Sequence, residues 1–274
     1  MYECLIYEKL EEGVALITLN RPHRLNAVSA QLARELGQAL DEVEGDGEVR
    51  VTVLTGAPRA DGRPCFSAGG DLHDLAGQEK PPVFERMAGA VPAMMDRSVG
   101  PSIAGFCERL ETTGKPSIAA IDGVCTAGGL ELALACDIRV AAETAQMSEL
   151  HMKNLGGLSG AGMTTRLART VGPAWAKEIM FTGEPLNGHA AVAIGLANHV
   201  LPSDKLLEGA IALARRFAAM RPGAVAVAKA AMSAAMDLDL ERALRYSYIG
   251  QEVLSAKEGA RSFTQKQPPP HTRV

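Results

Sequence analysis

The chain has 274 residues, 47% of them hydrophobic and 22% charged, with a formal net charge of −4. That balance supplies a sizeable core and excludes an extended disordered chain. The slight acidity gives no global attraction to nucleic acid or to an anionic membrane, so neither is expected as a partner.

Leu5–Leu10 and Val14–Leu19 read as the two strands of a hairpin joined at Glu11–Gly13, with glycine where a positive φ is needed. Arg21 and Pro22 end the second strand. Ser29 reads as the N-cap of a helix that carries Leu32, Leu36, Leu40 and Val43 at near-3.6 spacing. Arg50–Thr55 alternates apolar residues as a strand does, and a polar loop runs on to residue 65. Residues 77–102 are rich in Gly, Pro and Met and are expected to form a mobile loop leading into a helix toward Glu111. Met87, Met94 and Met95 there would line an adaptable apolar pocket or serve as ordinary core methionines.

Lys115–Asp122 reads as a short buried strand, followed by a glycine turn and a helix through Cys136, and Ile138–Ala141 as a further strand. Beyond residue 173 the signals are helical. Pro173 stands at a helix start, Ser203 reads as the N-cap of Lys205–Met220, and Pro222 opens another helix. Leu206, Leu207, Ile211, Ala214 and Phe217 would share one face, and the tail 268–274 is expected to fray. The division expected is a β/α body over residues 1–200 and a helical C-terminal region over 201–274.

The N-terminus shows no basic segment followed by a long apolar run, and no stretch approaches the ~18 apolar residues of a spanning helix. Cys4, Cys65, Cys107, Cys125 and Cys136 are scattered without a CxxC pair, which suits free thiols and a cytoplasmic protein. His23, His73, His189 and His199 show no ligand spacing, so no metal site is expected. No G-x-S-x-G elbow, GxGxxG run or phosphate loop is present.

Two glycine turns carry the chemistry. In the stretch 123–131, Gly128 and Gly129 open a helix, where backbone N–H groups lack intrahelical partners and the macrodipole is positive. Glu131 follows three residues after Gly128 and projects from nearly the same face. Its neighbours Leu130, Leu132 and Leu134 point to burial, whereas a carboxylate that only complements the dipole would face solvent. The second turn, Cys65–Leu72, places Gly69 and Gly70 after another strand. Two such turns are what an oxyanion hole built from two backbone N–H groups requires.

At these residues the chain resembles the enoyl-CoA hydratase/isomerase (crotonase) family. Arg21–Ala27 is similar to the family's R-P-x-x-L-N-A turn, and Phe66–Leu72 to F-x-x-G-x-D-L. Lys115–Asp137 is similar to the strand, glycine turn, E-L-A and C-D stretch, and Gly160–Gly162, Arg166-Leu167, Phe181–Gly183 and Glu258–Lys266 follow in order. The resemblance implies an α/β crotonase-like spiral of ββα turns ending in a helical trimerisation region, in a homotrimer or dimer of trimers. It implies an acyl-CoA thioester as substrate, with no cofactor besides that coenzyme A. The oxyanion donors would be the N–H groups of Gly70 and Gly128, and Glu131 would be the first of two catalytic glutamates. Arg24, Leu25, Ala68, Asp71 and Leu72 would lie along coenzyme A, with Phe263 and Lys266 reaching its nucleotide from a neighbouring subunit. From the residues alone, Asp71 and Asp137 read as structural groups that cap turns or bind backbone N–H.

The second glutamate is where the chain departs. The family shows F-x-x-P-E, a short apolar stretch and a glycine, whereas Met147–Gly156 is one residue longer. Counting forward places His151 at the glutamate position, counting back places Met152 there, and Glu149 would serve only in a rebuilt loop. A histidine suits proton transfer near neutral pH, and a hydrogen-bonded structural histidine fits the same position. The expected activity is reversible hydration of a 2-enoyl-CoA. Isomerisation, hydrolysis or decarboxylation on the same fold remains open, as does a CoA-ester-binding protein without catalysis.

Overall fold

The computed structural model describes residues 2–76, 102–254 and 256–266. The expectations for residues 77–101, for Met87, Met94 and Met95, and for the tail 268–274 lie outside the described residues.

Six strands form the main sheet in the order β1-β2-β3-β5-β7-β9: Leu5–Leu10, Val14–Leu19, Val51–Gly56, Ser117–Ile121, Ile138–Ala142 and His199–Leu201. The β1–β2 hairpin is antiparallel, in a register running from Leu5 opposite Leu19 to Leu10 opposite Val14. Every later pairing in this sheet is parallel. A second, parallel sheet has the order β4-β6-β8, from Cys65–Ser67, Val124–Thr126 and Gln146–Ser148. Each consecutive pair β3–β4, β5–β6 and β7–β8 puts one strand in each sheet before the chain turns into a helix. The expected spiral of ββα steps is therefore observed.

Side-chain alternation divides the interior into two cores. Ala15, Ile17, Leu19, Leu54, Ala119 and Ile121 face one way, while Val14, Leu16, Val51, Val53, Ile118 and Ala120 face the other. Such two-sided burial explains why β5 reads as a continuous apolar run. The first core receives α1 (Ala30–Gly45), α3 (Ile103–Thr112), α4 (Gly128–Ala135) and α5 (Met163–Thr182), while α2 (Leu72–Ala76) follows the second glycine turn. Ser29 caps α1 as expected, its hydroxyl accepting the Leu32 N–H at 3.2 Å. Gly172 (φ 78°, ψ 161°) breaks α5 in two, so Pro173 does start a helical segment.

Two local expectations are corrected. Ser203 caps no helix: it lies in the 3₁₀ turn Ser203–Lys205, its hydroxyl on Asp122, and α7 runs Leu206–Ala218 after α6 (Gly188–Ala193). The buried stripe of α7 is Leu206, Ala210, Ala214 and Ala218, while Leu207 is exposed, because small side chains let the helix approach the second face of the main sheet. Helices α8 (Pro222–Ala235), α9 (Leu240–Leu254) and α10 (Lys257–Thr264) follow. Among the described residues no helix is long and apolar enough to cross a membrane. The five cysteines are free and buried. Burial pushes the Cys65 thiol up to about 11 and that of Cys136 up to about 12, which removes them as nucleophiles.

Candidate active site

The site is assembled from two backbone turns locked against each other. Asn26, fully buried at φ 52°, organises the first. Its carbonyl side-chain oxygen accepts the Arg21 N–H, and its amide donates to the carbonyls of Ala57 and Cys65. Ser67 donates its hydroxyl to the Asn26 carbonyl. This clamp brings residues 26–28 alongside 68–71. There the Val28 N–H reaches the Gly69 carbonyl at 2.7 Å and the Asp71 N–H reaches the Val28 carbonyl at 3.0 Å. The pattern skips Gly70, whose N–H has no partner among the described residues. Asp71 is structural as its sequence context implied: it pairs with Arg21 at 2.9 Å and accepts the His73 N–H. Burial alone would raise its carboxyl, but those partners hold it below the ordinary value.

The second turn carries backbone strain. Ala127, just before α4, sits at φ 51°, ψ −122°, a region costly for a residue with a Cβ. The following residue, Gly128, begins the helix with an N–H that has no partner among the described residues. All eight residues of α4 are buried. A Cβ on Gly129 would lie 2.3 Å from the Ser67 carbonyl oxygen, and one on Gly128 would lie 3.2 Å from the Gly70 nitrogen. The two free N–H groups are therefore neighbours, and together they can hold one oxygen between them.

Glu131, one turn into α4, is 2% exposed. Its Oε1 accepts the backbone N–H groups of Ala161 and Met163, each at 3.0 Å, and the hydroxyl of Ser159. Burial raises its carboxyl above the usual range, against the pull of these donors and of the neighbouring His151 and Arg166 side chains. Arg166 fixes the loop that supplies the donors, since it grips Glu111 through Nε at 2.5 Å and Nη2 at 2.6 Å and donates to the Ala161 carbonyl.

Opposite lies the segment after β8. Glu149 is completely buried and accepts the His151 N–H on both oxygens at 3.0 Å. Its Oε1 also contacts His151 Nδ1. His151 begins a π turn, His151–Leu155, closed by Gly156 in the left-handed region. A cavity of about 370 Å³ is lined by Gly70, Gly128, Glu131 and His151, with Ile103 and Ala161. A smaller one of about 100 Å³ is lined by Ala68, Gly70, Leu72, Leu150 and His151. The two meet at Gly70 and His151.

Of the expected site residues, the structure thus brings Gly70, Gly128, Glu131 and His151 together, while Asp71, Ala68 and Leu72 line one cavity or the other. Glu149 lines neither and stands behind His151, and Met152 is exposed. Leu25 (φ 52°) accepts the Ala68 N–H at 2.9 Å, and Arg24 is exposed beside it. Phe263 on α10 is 85% exposed, and it and the exposed Lys266 line neither cavity. Among the described residues no three His, Cys, Asp or Glu side chains cluster as a metal site. Ser159 and Arg166 were not assigned site roles from sequence. The glycine-rich run from Gly156 to Gly162 ahead of a helix was the available signal, because such a loop leaves free N–H groups for a carboxylate.

A profile of the enoyl-CoA hydratase/isomerase family matches residues 9–273. The short-chain-enoyl-CoA hydratase of Clostridium acetobutylicum is 34% identical over 242 residues, covering 88% of this chain and 85% of the relative. The mitochondrial methylglutaconyl-CoA hydratase of Mus musculus is 35% identical over 273 residues, covering 96% and 80%. The crystal structure of an enoyl-CoA hydratase from Bacillus anthracis superposes with a TM-score of 0.84 at 34% identity, covering 97% of this chain and 98% of that one.

Proposed function

The chain belongs to the enoyl-CoA hydratase/isomerase family, and from that premise we propose that it adds water reversibly to a 2-enoyl-CoA. One observation carries the reading: two unpartnered N–H groups, of Gly70 and Gly128, and the buried carboxylate of Glu131 line a single cavity. A thioester oxygen held between those N–H groups would gain charge as the double bond is attacked, and the donors strengthen as it does. Glu131 would orient the water and take its proton, a role served by a carboxylate that burial has made more basic than usual. His151, across the cavity, would handle the proton at the α carbon.

The rest of the substrate would follow Ala68, Leu72, Leu25 and Arg24 away from the cavity, with Asp71 bracing the turn. Phe263 and Lys266, unengaged in their own chain's cavities, would meet the nucleotide of a neighbouring subunit's coenzyme A. Exposed Met232 on α8, Met236 at its end, and Leu240, Leu244 and Ile249 on α9 supply apolar surface for a trimer or a dimer of trimers. Hydration through a held enolate needs no cofactor beyond the coenzyme A of the substrate. A cytoplasmic location accords with the five free thiols.

The test offers straight-chain 2-enoyl-CoA esters and the branched methylglutaconyl-CoA, following loss of the conjugated chromophore and identifying the product by mass. A gain of one water with at least one ester, abolished in Glu131→Gln, is expected. Double-bond migration, or release of free coenzyme A without hydration, would assign another reaction of the fold. Tight binding without any turnover would assign a non-catalytic binder.

A further inference from the structure

We propose that Glu149 is a positioning residue that converts His151 into the second proton-transfer group of the site, with Nε2 presented to the substrate. The inference rests on the hydratase reading above and names how its α-carbon step is run.

Glu149 is a completely buried carboxylate whose ion-pair partner among the described residues is His151. It accepts the His151 backbone N–H on both oxygens, which holds the carboxyl group against the imidazole. In the proposed pairing Nδ1 donates its proton across this contact, which leaves Nε2 as the ring atom for the cavities that His151 lines. The backbone supports the arrangement. Met147 and Leu186 exchange N–H···O bonds at 2.9 Å, and the π turn then takes up the residue by which this segment exceeds the family pattern. The pair thus occupies, with two side chains in series, the position where the family resemblance calls for one glutamate. The other charged side chains that line this cavity are Glu131 from α4, Asp71 just before α2, which is paired with Arg21, and Asp74 from α2, which accepts the Ala30 N–H. Lys153, on the turn itself, is taken by Glu184 at 3.1 Å.

The proton balance closes. In the forward direction the water oxygen bonds to C3 while one of its protons passes to the Glu131 carboxylate. The π electrons move onto the thioester enolate held by Gly70 and Gly128. C2 then takes the Nε2 proton of the His151 imidazolium, whose Nδ1–H stays on Glu149. The proton on Glu131 returns to Nε2 through solvent, and the sum is one enoyl ester plus one water. Glu149 supports the cationic imidazole throughout by its buried negative charge.

Two readouts test the proposal, and one does not depend on turnover. In ¹⁵N-histidine-labelled protein, His151 should show a strongly deshielded Nδ1–H proton that disappears in Glu149→Gln and persists in Glu149→Asp. In kinetics with a hydrated ester, His151→Gln should lower kcat by about 10²–10⁴-fold. Glu149→Gln should lose roughly 10-fold or more with little change in KM and shift the alkaline limb of the rate to lower pH. The double variant should lose no more than His151→Gln alone, as expected of residues acting as a unit. An Nδ1–H signal unchanged in Glu149→Gln, or additive losses in the double variant, would overturn the proposal. A wild-type protein that shows the signal but hydrates no ester would retain the pairing and refute the hydratase reading instead.

Discussion

Met163, the first residue of α5, donates its backbone N–H to Oε1 of Glu131 across 3.0 Å, so the site carboxylate is tethered to the start of a helix distant in sequence. With the Ala161 N–H and the Ser159 hydroxyl on the same oxygen, Oε1 is fully engaged and Oε2 is the atom left for a water. Glu131→Gln keeps the shape and an acceptor for these donors but removes the base. We expect kcat for hydration to fall by about 10²–10⁴-fold with an unchanged circular dichroism spectrum.

The same substitution has a stability consequence of determinate sign. The Glu131 carboxyl is raised above 4.5 in the folded state, so the native protein binds its proton more tightly than the unfolded chain does. Its favourable contribution is fully present below pH 4.5 and is lost as pH rises through the elevated folded value. The wild type therefore bears a charging penalty at neutral pH that Glu131→Gln escapes. Thermal melts should show the variant gaining on the wild type as pH rises from 4.5 through the elevated folded value, the pattern of a site that trades stability for activity.

Gly128→Ala tests the paired N–H groups. The new methyl would stand 3.2 Å from the Gly70 nitrogen and 3.3 Å from the Gly69 Cα, close enough that one turn must shift by a few tenths of an ångström. Displacing one donor should cost about 10²–10³ in kcat. Fold stability should change far less, as measured by denaturant titration.

Asn26→Ala separates scaffold from chemistry. It strands the Arg21 N–H and the Ala57 and Cys65 carbonyls and places alanine at φ 52°. Only the bond to the Cys65 carbonyl is fully buried, so at about 1–3 kcal/mol for a stranded buried group and less for the part-buried two, a loss of about 2 kcal/mol or more is expected in urea unfolding. Activity per folded molecule should also fall, because the clamp sets the position of Gly70.

Arg166 should behave as a loop brace. Arg166→Met removes the two-pronged grip on Glu111 and the bond to the Ala161 carbonyl. Misplacing the donors of Glu131 should lower kcat by up to roughly 10²-fold. Arg166→Lys should recover little of it, since an ammonium lacks the planar fork.

Sequence made most of the strands legible, because the central strands β2, β3 and β5 are largely buried on both faces and are correspondingly rich in apolar residues. It also made Glu131 legible as buried, through the leucines around it. What it misread depended on contacts between distant segments. Ser203 has the chemistry of a cap, but Asp122, 81 residues earlier, claims its hydroxyl. On α7 the expected face keeps Leu206, Ala214 and Phe217 against the sheet but loses Leu207, because the alanines at 210 and 218 take the close approach. In the sequence Glu149 and His151 stand as alternatives for one role, and only the local fold shows them in contact. For Ser159 the only signal is the glycine-rich run around it, and the serine itself gains a role when that loop closes on the Glu131 carboxylate.

The strained turn at Ala127 has a further consequence. Its methyl carbon lies 2.9 Å from where a side chain on Gly69 would begin, and that same point is 2.8 Å from the Gly128 nitrogen. The two glycine turns are thus mated surfaces, like the halves of a mould, and the gap between their N–H groups is a dimension of the joint rather than of either turn. A mutation that relaxes one half must reset the other. The spacing would then change through concerted substitutions in both turns, and single steps would be selected against.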